Sequence, residues 1–72
     1  MTTTEFKKDM KRINRLLDKA DTIFNSLPPH VQDTCWTFHN EGSSLNHCLR
    51  WGLQASEELL REAKTVIDRP DE

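Results

Sequence analysis

The sequence predicts an all-α protein with two long antiparallel helices and a short helix in the connection between them. Three observations predict this fold. Apolar residues recur at helical spacing in two long segments, and a double proline and a Gly-Ser-Ser segment lie between them. No segment alternates with the two-residue period of a strand. The chain has 72 residues, enough for one small helical domain over residues 1–72.

The first long helix is predicted over residues 4–26. Its apolar residues are spaced by alternating steps of four and three, which is typical of a helix that packs along its whole length. They are Phe6, Met10, Ile13, Leu17, Ala20, Phe24 and Leu27, flanked by Leu16 and Ile23. Thr2 and Glu5 have the spacing of a capping box, and Pro28-Pro29 ends the helix.

The short second helix is predicted over residues 29–40. Pro29 suits its first position, and Gly42 suits a left-handed cap beyond its end. Val31, Cys35 and Phe38 are predicted to face the core. Trp36 points about 100° away from Cys35 and therefore leaves that face.

The third helix is predicted over residues 44–68, with Ser43 or Ser44 as its cap and residues 69–72 as a tail. It carries two apolar rows. One is Leu45, Leu49, Leu53, Leu60, Ala63 and Ile67; the other is Cys48, Trp51, Ala55 and Leu59. The two rows are too wide for one neighbour, so the second neighbour is helix two, a second subunit, or both. The sequence thus predicts a homodimer, with a four-helix core as one form. Gly52, between the rows, suits a place where another helix or a large ring comes close, and Trp36 or the Trp51 of a second subunit is a candidate for that space.

Composition excludes several functional classes. The net charge is −2, from 10 basic and 12 acidic residues, which does not indicate a dedicated nucleic-acid binder. No apolar segment approaches the ~20 residues of a membrane span, and the first residues lack the apolar region of a secretory signal. A cytoplasmic protein with two free thiols and no membrane partner is therefore expected.

The segment CWTFHNEGSSLNHC holds the residue types of a zinc site. Cys35 and His39 would share one helix face, and His47 and Cys48 would open the next helix. The alternative is that both cysteines are small apolar residues and both histidines are polar residues at helix ends. No Cys-x-x-Cys pair is present, so we predict no metal and no cofactor.

The remaining candidates are a basic row and an aromatic surface. Lys8, Lys11, Arg12, Arg15 and Lys19 lie on the outer side of helix one. They either bind the phosphates of a nucleotide or nucleic acid, or form a solvated helix face interrupted by acidic residues; the second is favoured. No catalytic motif is present, and we predict no enzyme activity.

The predicted partner-binding residues are Trp36, Trp51, Arg50 and His39. Tryptophan and arginine are enriched where protein interfaces carry most of their binding energy. The alternative is that the two tryptophans pack against each other inside one monomer. An interface role is favoured for Trp36, and both alternatives stay open for Trp51.

The opening segment MTTTEFKKDMKRINRLLDKAD and the block NHCLRWGLQASEELL resemble the short helical accessory proteins of bacteriophages and prophages. The resemblance implies a regulator or inhibitor that binds a host protein. Some such proteins instead bind nucleotide signals of host defence. No functional residue is assigned from this likeness.

Overall fold

The computed structural model of the chain describes residues 1–39 and 42–68. Within those ranges all regular structure is helical, in the order α1 (Thr3–Asn25), α2 (Pro29–Cys35), α3 (Leu45–Arg61) and α4 (Ala63–Asp68). The all-α prediction is confirmed, but one predicted long helix is two helices. The predicted tail, residues 69–72, lies outside the described residues. None of the described helices is long and apolar enough to cross a membrane.

Helix α1 begins and ends at the predicted signals. The Thr2 side chain accepts the Glu5 backbone N–H at 3.1 Å, and the Glu5 carboxylate accepts the Thr2 backbone N–H at 2.9 Å. This reciprocal pair is the predicted capping box, and it satisfies donors that the first helical turn leaves free. At the other end, the backbone N–H of Ser26 donates to carbonyls of the last turn. Pro28 and Pro29, which follow, prevent α1 from continuing.

Helix α2 is shorter than predicted. It ends at Cys35, because the next backbone bonds run from Thr37 to Thr34 and from Phe38 to Cys35, which tightens the chain into a turn. The prediction that Phe38 faces the core is therefore wrong, and its side chain is 73% exposed. Gly42 has φ +84° as predicted, but it forms a turn ahead of α3 and does not cap α2. The predicted end at residue 40 lies outside the described residues.

The second long helix breaks at Glu62, whose φ of −99° and ψ of +19° leave helical geometry. The prediction of one continuous helix over residues 44–68 is therefore wrong. The next residue, Ala63, has no exposed surface, so the break lies where the chain presses against α1. At the start of α3, Ser44 occupies the predicted cap position, but its hydroxyl makes no capping bond.

Helices α1 and α3 pack together along their length, and α4 extends that contact. Leu17 lies opposite Gly52, and Asn14 donates to the Ser56 hydroxyl at 2.7 Å. As the residue numbers of these contacting positions rise along α1, those of their partners fall along α3, so the two helices are antiparallel. The close approach of another helix at Gly52, one of the predicted alternatives, is observed, because Leu17 of α1 lies there. The other candidate, the ring of Trp36, does not occupy that space.

The predicted core is only partly formed. Among the described residues, Phe24 and Ala63 are the fully buried apolar side chains. Half-buried residues complete the contact: Phe6, Met10, Leu17, Leu49, Leu53, Leu60 and Ile67. The prediction that Ile13 and Leu45 are core residues is wrong, since both are exposed. Leu16 and Ile23, predicted to flank the core row, are exposed too.

The molecule is a flat slab of 45 × 25 × 15 Å. A helix with its side chains is about 10–12 Å across, so the α1–α3 pair is a layer one helix thick. Such a layer can cover the inner side of each helix but not both flanks. This shape explains why so few apolar side chains are enclosed.

Candidate functional site

Three rings form a continuous cluster on the outside of α3. The ring of His47 lies edge-to-face with Trp36, with centroids 5.3 Å apart, and with Trp51, with centroids 6.2 Å apart. Such edge-to-face pairs stabilise one ring against the next. The tryptophans therefore do not pack against each other, because His47 lies between them. We call Trp36, His47 and Trp51 the aromatic cluster.

The aromatic cluster is accessible despite its internal contacts. Trp36 is 44% exposed and Trp51 is 69% exposed. His47 and Trp51 are one helical turn apart on α3, and Trp36 reaches them from the segment after α2. The position of Trp36 depends on α2, which Gln32 holds against α1. Its amide donates to the backbone carbonyls of Asn25 at 3.1 Å and Leu27 at 2.8 Å.

A groove lies on each side of the cluster, and His47 lines both. One groove has Phe24, which is 5% exposed, among its lining, and its polar neighbours come from three helices. It is lined by Asp21, Phe24, Asn25, Gln32, Trp36, Asn46, His47 and Arg50. The other groove is lined by Gly42, Ser43, His47, Cys48 and Trp51.

The structure brings together three of the four predicted partner-binding residues. Trp36 and Arg50 line the same groove, and Trp51 lines the other. His39 is exposed and lines neither groove. His47 was not among the predicted partner-binding residues, although its spacing of four residues from Trp51 on one helix indicated a shared face.

The zinc alternative is not supported by the geometry. Within residues 1–39 and 42–68, no three His, Cys, Asp or Glu side chains come close enough to hold a metal ion. Because α2 ends at Cys35, His39 does not share a helix face with it. The His47 ring lies between two tryptophans. Cys48 was expected to meet the second helix but is exposed, and both cysteines are free thiols.

Two neighbouring grooves on α1 are lined by four of the five predicted basic residues. Lys8, Lys11 and Arg15 line a shallow groove with Thr4 and Lys7. Arg12 lines the next groove with Arg15 and Leu16, and it also borders Asp9 and Ile13. Lys19 is exposed and does not line the groove of Lys8 and Lys11. Only part of the predicted set could therefore hold one anion.

A second exposed surface is apolar, and we call it the apolar face. It combines part of the second apolar row of α3 with exposed apolar residues of α1. Its residues are Ile13, Leu16 and Ile23 of α1 and Ala55 and Leu59 of α3, whereas Trp51 belongs to the aromatic cluster. Leu16 is 67% exposed and Ile23 is 59% exposed, so no other part of the described chain covers them.

No protein-family model, curated protein or solved structure matches this chain. The candidate sites are therefore those that the chain's own residues form: the aromatic cluster with its two grooves, the basic groove and the apolar face.

Proposed function

We propose that this protein is a small non-enzymatic interaction module that binds a protein partner through the aromatic cluster. The observation that supports this is the pair of exposed tryptophans held edge-on by His47, with Arg50 lining the adjacent groove. Tryptophan and arginine supply most of the energy in many protein interfaces. They do so best where neighbouring contacts exclude water, as a groove on each side allows.

The Trp36 groove suits an inserted side chain from the partner. Phe24 offers an apolar contact, while Asp21, Gln32 and Arg50 supply a carboxylate, an amide and a guanidinium. A partner that places an apolar residue on Phe24 and polar groups at the rim would match this distribution. Because the cluster is already ordered by ring contacts, binding loses little side-chain entropy.

The wider biological proposal follows the resemblance to phage-type accessory proteins. In it, the module is a cytoplasmic regulator or inhibitor that binds a host protein. Its working form is a homodimer built on the α1–α3 pair. Each of these statements adds to the binding proposal and can be tested apart from it.

The test is affinity capture from the native host with matched variants. Trp36→Ala removes the ring that links α2 to His47, and it is expected to abolish capture of the partner. Phe38→Ala is the control, because Phe38 is a more exposed aromatic residue nearby that lines neither groove. Unchanged melting curves would show that both variants fold. Equal capture by wild type, Trp36→Ala and Trp51→Ala would refute the proposal.

A second candidate function is anion binding in the basic groove on α1. The supporting observation is that Lys7, Lys8, Lys11 and Arg15 line one groove, which concentrates positive charge. A nucleotide or single-stranded oligonucleotide bound there would lose affinity steeply with added salt. Arg15→Glu should abolish that binding, whereas Lys19→Glu, a charge reversal on α1 outside the groove, should preserve it. Fluorescence anisotropy with a labelled oligonucleotide measures both, and equal loss in the two variants would exclude this groove.

A further inference from the structure

The exposed apolar residues of α1 and α3 lie on one side of the helix pair. Successive helical residues turn by about 100°. Leu16 precedes the contact position Leu17 by one residue, and Ala55 precedes the contact position Ser56 by one residue. Each is therefore rotated by about 100° from the contact, in the same sense about its own helix axis. Because the helices are antiparallel, equal rotations bring both to the same side of the layer. The apolar face is therefore one surface shared by two helices.

The position of α2 agrees with this assignment. The groove beside α2 is lined by Asp21 and Asn25 of α1 and by Asn46 and Arg50 of α3. By the same rotation, those four residues lie on the opposite side of the layer. Helix α2 thus covers the polar side and leaves the apolar face open.

Beyond α2, the opposite side carries charge. The exposed residues of α1 and α3 that the same rotation places there are Lys7, Lys11, Asp18, Glu57 and Arg61. The apolar side carries charged residues as well, namely Glu5, Asp9, Arg12, Lys19, Glu58 and Glu62. It alone, however, carries the large exposed side chains of the apolar face, so it gains more free energy from being covered.

The dimensions show how much surface is left to cover. A compact chain of this length has a radius of gyration of about 11 Å, whereas the observed value is 15.2 Å. Its accessible surface would be about 4,600 Å² for its mass, whereas the observed surface is 5957 Å². The excess belongs to the whole elongated chain, and it is larger than the ~800 Å² that each partner contributes to a stable protein interface.

We propose that a second copy of the chain covers the apolar face, with a two-fold axis parallel to α1 and α3. In that arrangement α1 of each protomer packs on α3 of the other, and the four helices form an antiparallel bundle. The inference rests on the homodimer of the proposed function, but not on the partner of the aromatic cluster. Self-complementarity is required of a two-fold interface, and a flat apolar surface meets it.

Charge along the edges decides the direction of the axis. Arg12 borders the face on α1, and Glu58 and Glu62 border it on α3; all three are exposed. Asn14 is level with Ser56, so Arg12 is level with Glu58. The parallel axis therefore places Arg12 beside Glu58 of the other protomer, twice in each dimer. An axis across the helices would place α1 on α1 and α3 on α3, and it would not bring Arg12 to Glu58. Asp9 and Glu62, which the same rotation places within the face, form an unfavourable pairing in the parallel arrangement.

The first experiment measures self-association by sedimentation equilibrium. The wild-type protein is expected to be a dimer. Leu16→Glu should raise the dimer dissociation constant by at least about a hundredfold, because each dimer loses two buried leucines. Arg12→Glu should raise it by roughly tenfold, and adding Glu58→Arg should restore it. Lys11→Glu, the same charge change on the opposite side of the layer, should have no effect.

The outcomes separate this inference from the function of the aromatic cluster. Trp36 lies away from the apolar face, so Trp36→Ala should lose partner capture and keep the dimer. Leu16→Glu should keep its helical circular dichroism. If Leu16→Glu unfolds, the charge exchange between Arg12 and Glu58 still tests the proposal. A monomeric wild-type protein, or an exchange that does not restore association, would overturn the proposal.

A second experiment tests the axis. In a background with Cys35→Ser and Cys48→Ser, Leu16→Cys and Ala55→Cys are made as separate proteins. The parallel axis places these two positions opposite each other between protomers, so only the mixture should form an intermolecular disulfide on oxidation. Intermolecular disulfides in a sample of either variant by itself, with none in the mixture of the two, would overturn the parallel axis.

Discussion

Replacing each of the two glycines of the chain by alanine is predicted to change the stability in opposite directions. Gly52 lies inside α3, where glycine costs about 1 kcal/mol relative to alanine. A Cβ built at Gly52 would lie 3.4 Å from both terminal methyls of Leu17, which is ordinary van der Waals contact. Those contacts add about 0.1–0.2 kcal/mol each. Gly52→Ala should therefore raise the free energy of unfolding by about 1 kcal/mol.

Gly42 is the matched control, because its backbone conformation, and not the space around it, opposes a side chain. A Cβ there would have no neighbour within 4 Å, yet the backbone φ is +84°. A side chain in that left-handed conformation costs about 1–2 kcal/mol. Gly42→Ala should therefore destabilise the protein although it creates no clash.

Thermal melts followed by circular dichroism measure both variants. A change of 1 kcal/mol shifts the Tm of a domain of this size by about 4–8 °C. All proteins must be compared at one concentration, because the proposed dimer would make the Tm depend on it. Gly52→Val should destabilise, since its branched side chain would press on Leu17. A lower Tm for Gly52→Ala would refute the reasoning, because it would mean that α1 and α3 have no room for one methyl group.

Three further predictions test single contacts. Ser56→Ala should lower stability by about 1 kcal/mol, because Asn14 loses the buried hydroxyl that it contacts at 2.7 Å; a urea melt measures this, and a double-mutant cycle with Asn14→Ala should show coupling. Gln32→Glu replaces the donor that holds α2 with an acceptor, so hydrogen exchange in α2 should accelerate while α1 and α3 stay protected. Hydrogen bonds from the backbone and then the side chain of Thr2 lower the pKa of Glu5, so the stability that this carboxylate contributes is present at neutral pH and is lost as pH falls through the lowered pKa. Thr2→Pro, which removes both bonds, should raise that pKa towards its ordinary value in an NMR titration, and by more than Thr2→Ala.

Local signals predicted the helices that depend on local chemistry. The predicted range 4–26 for α1 differs by one residue at each end from the observed Thr3–Asn25. Its capping box and the following prolines act within a few residues, so the sequence carries all the information they need. The α2 start at Pro29 was predicted for the same reason.

The sequence did not predict where α2 ends or where α3 breaks. Nothing between Cys35 and Phe38 is a helix breaker, and the turn there forms from close backbone bonds. No glycine or proline marks Glu62, where packing on α1 accompanies the break. The zinc alternative placed Cys35 and His39 on one face of a longer α2, and the observed helix end removes that shared face.

The candidate site was predicted in its residue types but not in its arrangement. Exposed tryptophans beside an arginine indicated a binding surface, and Trp36 and Arg50 do share a groove. The place of His47 between the rings required knowledge of how the chain returns after α2. Contacts between residues distant along the chain leave no periodic signal in it.

By itself, the sequence determined that the chain is helical and that α3 has more apolar surface than one neighbour can cover. Helical periodicity carries that information, because each residue's direction on a helix follows from its number. Only the tertiary structure decided which apolar row α1 would cover, and that α2 would lie on the polar side. Those choices depend on which flank of an antiparallel pair a connection crosses, and they leave the apolar face exposed where a second neighbour was expected.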